Sequence, residues 1–310
     1  AAQEVVARIE QQEQSRTFNE ALEQHLQNIE GKSSDHRRNS ERIGEKLSEQ
    51  LGKKLVCDIT HDRLRSALEK VSTTAHTYNL HLRSIKPVFT LAEREQWLRE
   101  NPCSRLQPKD VGRNRIQILS LNQARQLMYH SAKDFRDRQD WPEHLKVDAR
   151  GAEAALALLL FAGIRPTELE RMDWQDITLN DDEASVYVSN QKSKTDRSRF
   201  FSMHPTLQAW LEQVPPEQRQ GDIVCSNWKR AWQAVRKEAG IGNLRDGCRK
   251  SFASYHLAGY GDVDATRSVL GHEVGSGVLF SNYRGLARKR DAVAFFEIKP
   301  SKDKGLKVVS

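Results

Sequence analysis

Apolar residues recur three and four apart through most of the first hundred positions, which predicts helices, whereas alternation of apolar and polar residues is clear only near residues 184–203. Residues 1–16 are polar and Gln-rich, a frayed helix or a tail. A Thr17-x-x-Glu20 capping box opens the first firm helix, with Phe18, Ala21, Leu22, His25, Leu26 and Ile29 on one face, and residues 31–34 end it. A second helix is expected from about Asp35 to Leu51, with Ile43, Leu47 and Leu51 inward. Thr60 is a cap for a third, reaching about Val71. Ser72-Thr73-Thr74 opens a long helix to about Asn101 in which Pro87 is expected to produce a kink or a split. Residues 104–118 are polar and basic and read as a linker.

Beyond the linker, Ser120-x-x-Gln123 forms another capping box, for a helix to about Ala132. The run Ala154 to Ala162 is almost wholly apolar and fits a buried helix stopped by Gly163. Arg165 follows, and Pro166 then starts a new helix with Glu168 in its first turn. Arg165 therefore occupies a helix-to-helix corner. Residues 184–189 and 198–203 read as two strands joined by a polar turn that holds Lys192 and Lys194, with Arg197 beside it. Helices at about 205–213 and 228–239 follow, the second with Trp228, Trp232 and Val235 as a core stripe. After residue 285, Ala292, Val293, Phe295 and Phe296 make the chain too apolar for a free end; they pack at home or on a neighbouring copy. The expected organisation is a polar segment 1–16, a helical domain 17–103, a linker 104–118, a mixed domain 119–298 and a polar tail 299–310. The fold class is mainly α with a small β-hairpin or sheet.

The chain has 310 residues, long enough for two cores, and its net charge of +7 favours a polyanionic partner. The basic excess is diluted among 42 acids, so a binding surface must be a local stripe. Cys57, Cys103, Cys225 and Cys248 are scattered without a C-x-x-C pair, which argues against structural zinc and a disulfide framework and suits a cytoplasmic location. The longest apolar run is too short to cross a bilayer, so no membrane partner is expected.

The candidate chemistry lies mostly between Asn243 and Leu286, which offers Arg249, His272 and Tyr283: a fixed cation, a proton carrier and a phenol. A phenol with a pKa of about 10 is a poor nucleophile at neutral pH, but neighbouring cations favour its ionised form and offset repulsion by a phosphate. Arg165, held in its corner, loses little entropy when it forks onto two phosphate oxygens. Taken singly, each residue has an ordinary reading as a surface charge, a helix end or a packed ring. Together they make a phosphoryl-transfer set.

The set resembles that of the tyrosine recombinases of the phage integrase family, and the likeness extends over nearly the whole chain. The matching residues are Arg165 in GIRPTEL, Lys194 in QKSKTDRSR, Arg249 in Asp246-x-x-Arg249, His272 in VLGH and Tyr283 in SNYRG. The resemblance implies a two-domain C-shaped DNA clamp, with residues 17–103 as a helical core-binding domain and 119–298 as the mixed catalytic domain. It implies site-specific DNA recombination through a covalent 3′-phosphotyrosyl intermediate, with no metal, ATP or other cofactor. The implied partners are a double-stranded recombination site and three further copies, a homotetramer on paired sites. Candidate DNA contacts are His76, Asn79, Arg83 and Lys86 on the long helix, together with His81, then Lys109, Arg113 and Arg115 in the linker, and Lys192 and Arg197 at the hairpin. Lys194 fits the general acid, with Lys192 next.

Two departures stand out. Asp246 replaces the histidine usual in the family's H-x-x-R box, and a carboxylate there repels a phosphodiester unless paired, with Arg245, Arg249 and Lys250 nearby in sequence. It accepts the tyrosine proton, braces Arg249, or simply caps a helix. The interval from His272 to Tyr283 is also lengthened by Gly275-Ser276-Gly277. Alternative readings are a noncatalytic DNA-binding protein of the same fold, a type IB topoisomerase-like enzyme and a telomere-resolving strand transferase. No acidic metal cluster or Gly-rich phosphate loop supports a nuclease or an NTPase.

Overall fold

The computed structural model describes residues 2–31, 34–112, 117–179, 183–191, 198–242, 246–272 and 285–300. They sort into two units, residues 1–114 and 115–310, each with its own apolar core.

The first unit is helical: α1 (Ala2–Gln14), α2 (Phe18–Asn28), α3 (Ser34–Leu51), α4 (His61–Lys70) and α5 (Ala75–Arg94). The polar start of the chain is a docked helix rather than a tail. Gln11 Nε2 donates to the Gln96 carbonyl at 2.9 Å, and Gln12 Nε2 reaches the Asp58 carboxylate at 3.1 Å. The capping box forms at Thr17, whose backbone N–H donates to Glu20 Oε2 at 2.8 Å while its hydroxyl accepts from the Glu20 N–H. Phe18, Ile43, Leu47, Leu64, Leu68, Ile85 and Phe89 fill the core.

One expectation for α5, its end, is corrected. It stops at Arg94, short of Asn101, because Gln96 turns left-handed at φ 61° and the Trp97 N–H closes on the Ala92 carbonyl at 2.8 Å. Pro87 lies inside α5 without splitting it. His81 is also not a surface contact: it is 1% exposed, with Nδ1 2.9 Å from the Ser72 hydroxyl.

In the second unit α6 (Leu121–His130) and α7 (Glu153–Phe161) come first, and every residue of α7 after Glu153 is buried. This is why its sequence shows no polar face. A short α8 (Pro166–Leu169) precedes a three-stranded antiparallel sheet of β1 (Ile177–Thr178), β2 (Ser185–Val188) and β3 (Arg199–Ser202), in that order. Val186 is in register with Ile177 on one side and Phe201 on the other. Then follow α9 (Pro205–Leu211), α10 (Trp228–Glu238), α11 (Gly247–Tyr260), α12 (Val263–Leu270) and a last helix, Lys289–Phe296.

The last helix packs on its own unit. Phe295 is fully buried with its ring stacked 4.3 Å from that of Tyr255, and Phe296 is 4% exposed. Trp210 Nε1 donates to the Ile298 carbonyl at 2.7 Å, and the Thr206 hydroxyl donates to the Phe296 carbonyl. Val293 alone of that apolar trio faces outward. Among the described residues, no helix is long and apolar enough to cross a membrane.

Candidate active site

Gly163 sets the corner on which the site is built. It leaves α7 at φ 61°, and a Cβ there would lie 2.7 Å from Phe252 Cδ1 and 2.9 Å from Leu270 Cδ2, so the turn has neither the backbone freedom nor the room for a side chain. Pro166 then starts α8 with Arg165 just ahead of it. Glu168, one turn on, reaches back to the corner: the Arg165 N–H donates to Oε2 at 3.2 Å and Arg165 Nη1 donates to Oε1 at 2.6 Å. The Glu168 side chain is 0% exposed and that of Arg165 is 18% exposed.

A second guanidinium reaches the same carboxylate from β3. Arg199 Nη2 donates to Glu168 Oε2 at 2.6 Å, Nη1 to Oε1 at 3.2 Å, and Nε to the Val269 carbonyl at 3.0 Å. Burial, the largest influence on Glu168, pushes its carboxyl up. The hydrogen bonds and charges of Arg199 and then Arg165 outweigh that and hold it at about 2. Glu168 is therefore ionised and shared, and the trio carries one positive charge.

Arg249 comes from the first turn of α11 and is 7% exposed. Its Nη1 donates to the Gly163 carbonyl at 2.5 Å and its Nη2 to the Leu270 carbonyl at 2.6 Å, so it grips the backbone of the Arg165 corner and the end of α12 at once. The same Nη2 lies 3.1 Å from His272 Nε2. His272 follows Gly271, a left-handed residue at φ 62° that ends α12, and its N–H returns to the Arg267 carbonyl at 3.1 Å. Burial first, then Arg249, Arg165, Arg199 and Arg267, push the imidazole down to about 4. Arg165, Arg249 and His272 are thus brought together around one corner.

Asp246 stands at the cap position of α11 in a left-handed conformation, φ 54° and ψ 26°. Its carbonyl accepts from the Lys250 N–H at 2.9 Å, but its side chain makes no capping bond. With Pro166, Trp232, Arg236 and Arg249 it lines a cavity of about 270 Å³. Lys194 and Tyr283 lie outside the described residues, as do Lys192, Arg197, Arg113 and Arg115.

Of the remaining candidates, His76, Arg83 and Lys86 are exposed on α5. Asn79 is engaged otherwise: its amide donates to the Lys109 carbonyl and accepts from the Lys109 N–H, both at 2.7 Å. The Lys109 ammonium lies 2.9 Å from Glu69 and 4.6 Å above the Tyr78 ring centroid. Arg199 was absent from the residues singled out in the sequence. The signal for it is its place in β3, two residues before buried Phe201 and so on the inward face, where a charged residue needs a buried partner.

Comparison with known proteins gives the same picture. The phage integrase family model matches residues 117–290. Among solved structures, a λ integrase dimer bound to a COC′ core site aligns over 92% of this chain and 81% of that one, with 17% identity and a TM-score of 0.67. A λ integrase tetramer bound to a Holliday junction aligns over 88% and 82%, with 16% identity and a TM-score of 0.65. The Tn1549 transposon integrase in complex with a circular intermediate DNA covers 90% and 98%, with 17% identity and a TM-score of 0.64. No curated protein matches the sequence. The family match spans more than half of the residues: the chain belongs to the phage integrase family and is a tyrosine recombinase, a DNA strand transferase.

Proposed function

We propose that this recombinase cuts and rejoins DNA at specific sites through a covalent 3′-phosphotyrosyl linkage formed by Tyr283. The tyrosine oxygen bonds to the scissile phosphorus as the bond from phosphorus to the 5′ oxygen breaks. Lys194 gives its proton to the departing 5′ oxygen. Arg165 and Arg249 hold the nonbridging oxygens, and His272 adds a hydrogen bond as charge builds in the transition state. Asp246 has the part of bracing Arg249, and its carboxylate also offers an acceptor for the tyrosine proton. Attack by a 5′ hydroxyl from another strand reverses the step, so no ATP is consumed.

The observation that carries this reading is the grip of Arg249 on the Gly163 carbonyl, which ties the second arginine to the corner of the first. The λ and Tn1549 integrase complexes with DNA support double-stranded DNA as the partner. The λ integrase tetramer on a Holliday junction supports a homotetramer on paired sites. We assign His76, Arg83 and Lys86 to phosphate or base contacts and the place of action to cytoplasmic DNA.

The test uses duplexes that the protein selects from a random-sequence pool, rebuilt with a nick beside the cut so that cleavage is trapped. The wild type should form a denaturant-resistant adduct, and Tyr283→Phe should form none. Selective binding without any adduct would instead favour a noncatalytic DNA-binding protein. Relaxation of supercoils without exchange between two sites would favour the topoisomerase-like reading.

A further inference from the structure

We infer that Arg199 is a positioning residue for the phosphate clamp: by taking up the charge of Glu168, it leaves Arg165 positive toward the DNA. The inference rests on the reading of Arg165 as a clamp.

A buried carboxylate facing one guanidinium makes a closed, neutral pair that projects little potential beyond itself. Glu168 and Arg165 would form such a pair, being joined at 2.6 Å around a carboxylate with no solvent exposure. Arg199 changes the balance because it contacts both oxygens, at 2.6 Å and 3.2 Å. Of the two arginines it is the deeper, 8% exposed against 18% for Arg165. Glu168 is thus neutralised from the inside, and the outer guanidinium keeps its charge for a ligand. Among the described residues Arg165 spends only Nη1 of its side chain on Glu168.

Arg199 also ties the clamp to the histidine turn. Its Nε holds the Val269 carbonyl at 3.0 Å, three residues before His272. Its stem fills the space beside Gly271, where a Cβ would stand 3.0 Å from Arg199 Cδ. A lysine cannot copy this, since one ammonium lacks the planar fork that serves two carboxylate oxygens and a carbonyl together.

The test measures adduct formation on the nicked duplex with either a phosphodiester or an uncharged methylphosphonate at the cut. Arg199→Gln should slow the reaction on the phosphodiester by about 10²-fold, the typical effect of losing one preorganised donor. On the methylphosphonate, which needs no cation, it should stay within roughly 10-fold of wild type, as Arg165→Ala should. In a Glu168→Gln background the further change Arg199→Gln should cost less than about 5-fold, because the charge it offsets is gone. Equal loss on both substrates, or an undiminished loss in the Glu168→Gln background, would reduce Arg199 to a packing role and overturn the inference. Thermal melts accompany each variant; should Arg199→Gln alone fail to fold, the comparison of the double variant with Glu168→Gln on the two substrates decides. Wild type forming no adduct on the phosphodiester would count against the Tyr283 reading instead.

Discussion

Arg249 Nη2 lies 3.1 Å from His272 Nε2, and that contact assigns the proton of the imidazole. A guanidinium only donates, so Nε2 accepts and the neutral ring carries its proton on Nδ1. Burial and four neighbouring arginines, which push the ring down to about 4, favour the same state. Nδ1 is buried and has no hydrogen-bond partner among the described residues.

His272 should therefore stay neutral from pH 5 to 8 in the free protein. Nitrogen NMR of histidine-labelled protein should show the Nδ1–H tautomer, and cleavage rates should show no His272-dependent inflection near pH 6.5. A titration between pH 6 and 7 that disappears in His272→Gln would refute the assignment.

Gly163→Ala should be costly in two ways. A left-handed alanine loses about 1–2 kcal/mol, and its Cβ, within 3 Å of Phe252 and Leu270, adds about 1–3 kcal/mol of overpacking. Gly261→Ala, at φ 68° but facing open space, should show only the first cost. Urea titrations of the two variants make the comparison. Because the Gly163 carbonyl anchors Arg249, Gly163→Ala should also lose adduct formation at temperatures where it remains folded.

The sequence disclosed features whose causes are local. The capping boxes at Thr17 and Ser120 and the Gly163–Pro166 corner depend on neighbours within four residues, and all three form as expected. What depends on distant partners was hidden. Arg199 carries no local mark of its role because its partner, Glu168, lies 31 residues away. His81 looked like a surface residue of α5 because Ser72 and the packing over it are not visible in a helical period. Strand β1 has only two residues, too few to show alternation.

Acid should erode stability in two windows. His130, His256 and His272 all sit at about 4, below the ordinary 6.5, mainly through burial. Between those values the unfolded chain binds protons that the folded one refuses, so stability should fall as pH drops from 6.5 to 4. Glu168, held at about 2 against an ordinary 4.5, adds a loss as pH drops from 4.5 to 2. Urea midpoints at successive pH values should decline through both ranges, and Glu168→Gln should flatten the lower one. A midpoint that rose between pH 6.5 and 4.5 would contradict the histidine assignments.

The last helix separates two kinds of apolar residue, and substitution should tell them apart. Phe295 is fully buried, stacked on Tyr255 and 5.3 Å from the Phe161 ring, so truncation to alanine opens a cavity in a region that cannot readily close. Phe295→Ala should cost about 3–5 kcal/mol. Val293, two residues earlier and on the opposite side of the helix, is 58% exposed, and Val293→Ser should change the unfolding free energy by less than about 0.5 kcal/mol. The carbonyls of Phe296 and Ile298 accept from Thr206 and Trp210, so removing residues 289–300 would also strand two buried donors on α9. Calorimetry on these three variants orders them Val293→Ser, Phe295→Ala, truncation by increasing damage. If Phe295→Ala melted with the wild type, the helix would not be anchored in its own unit in solution.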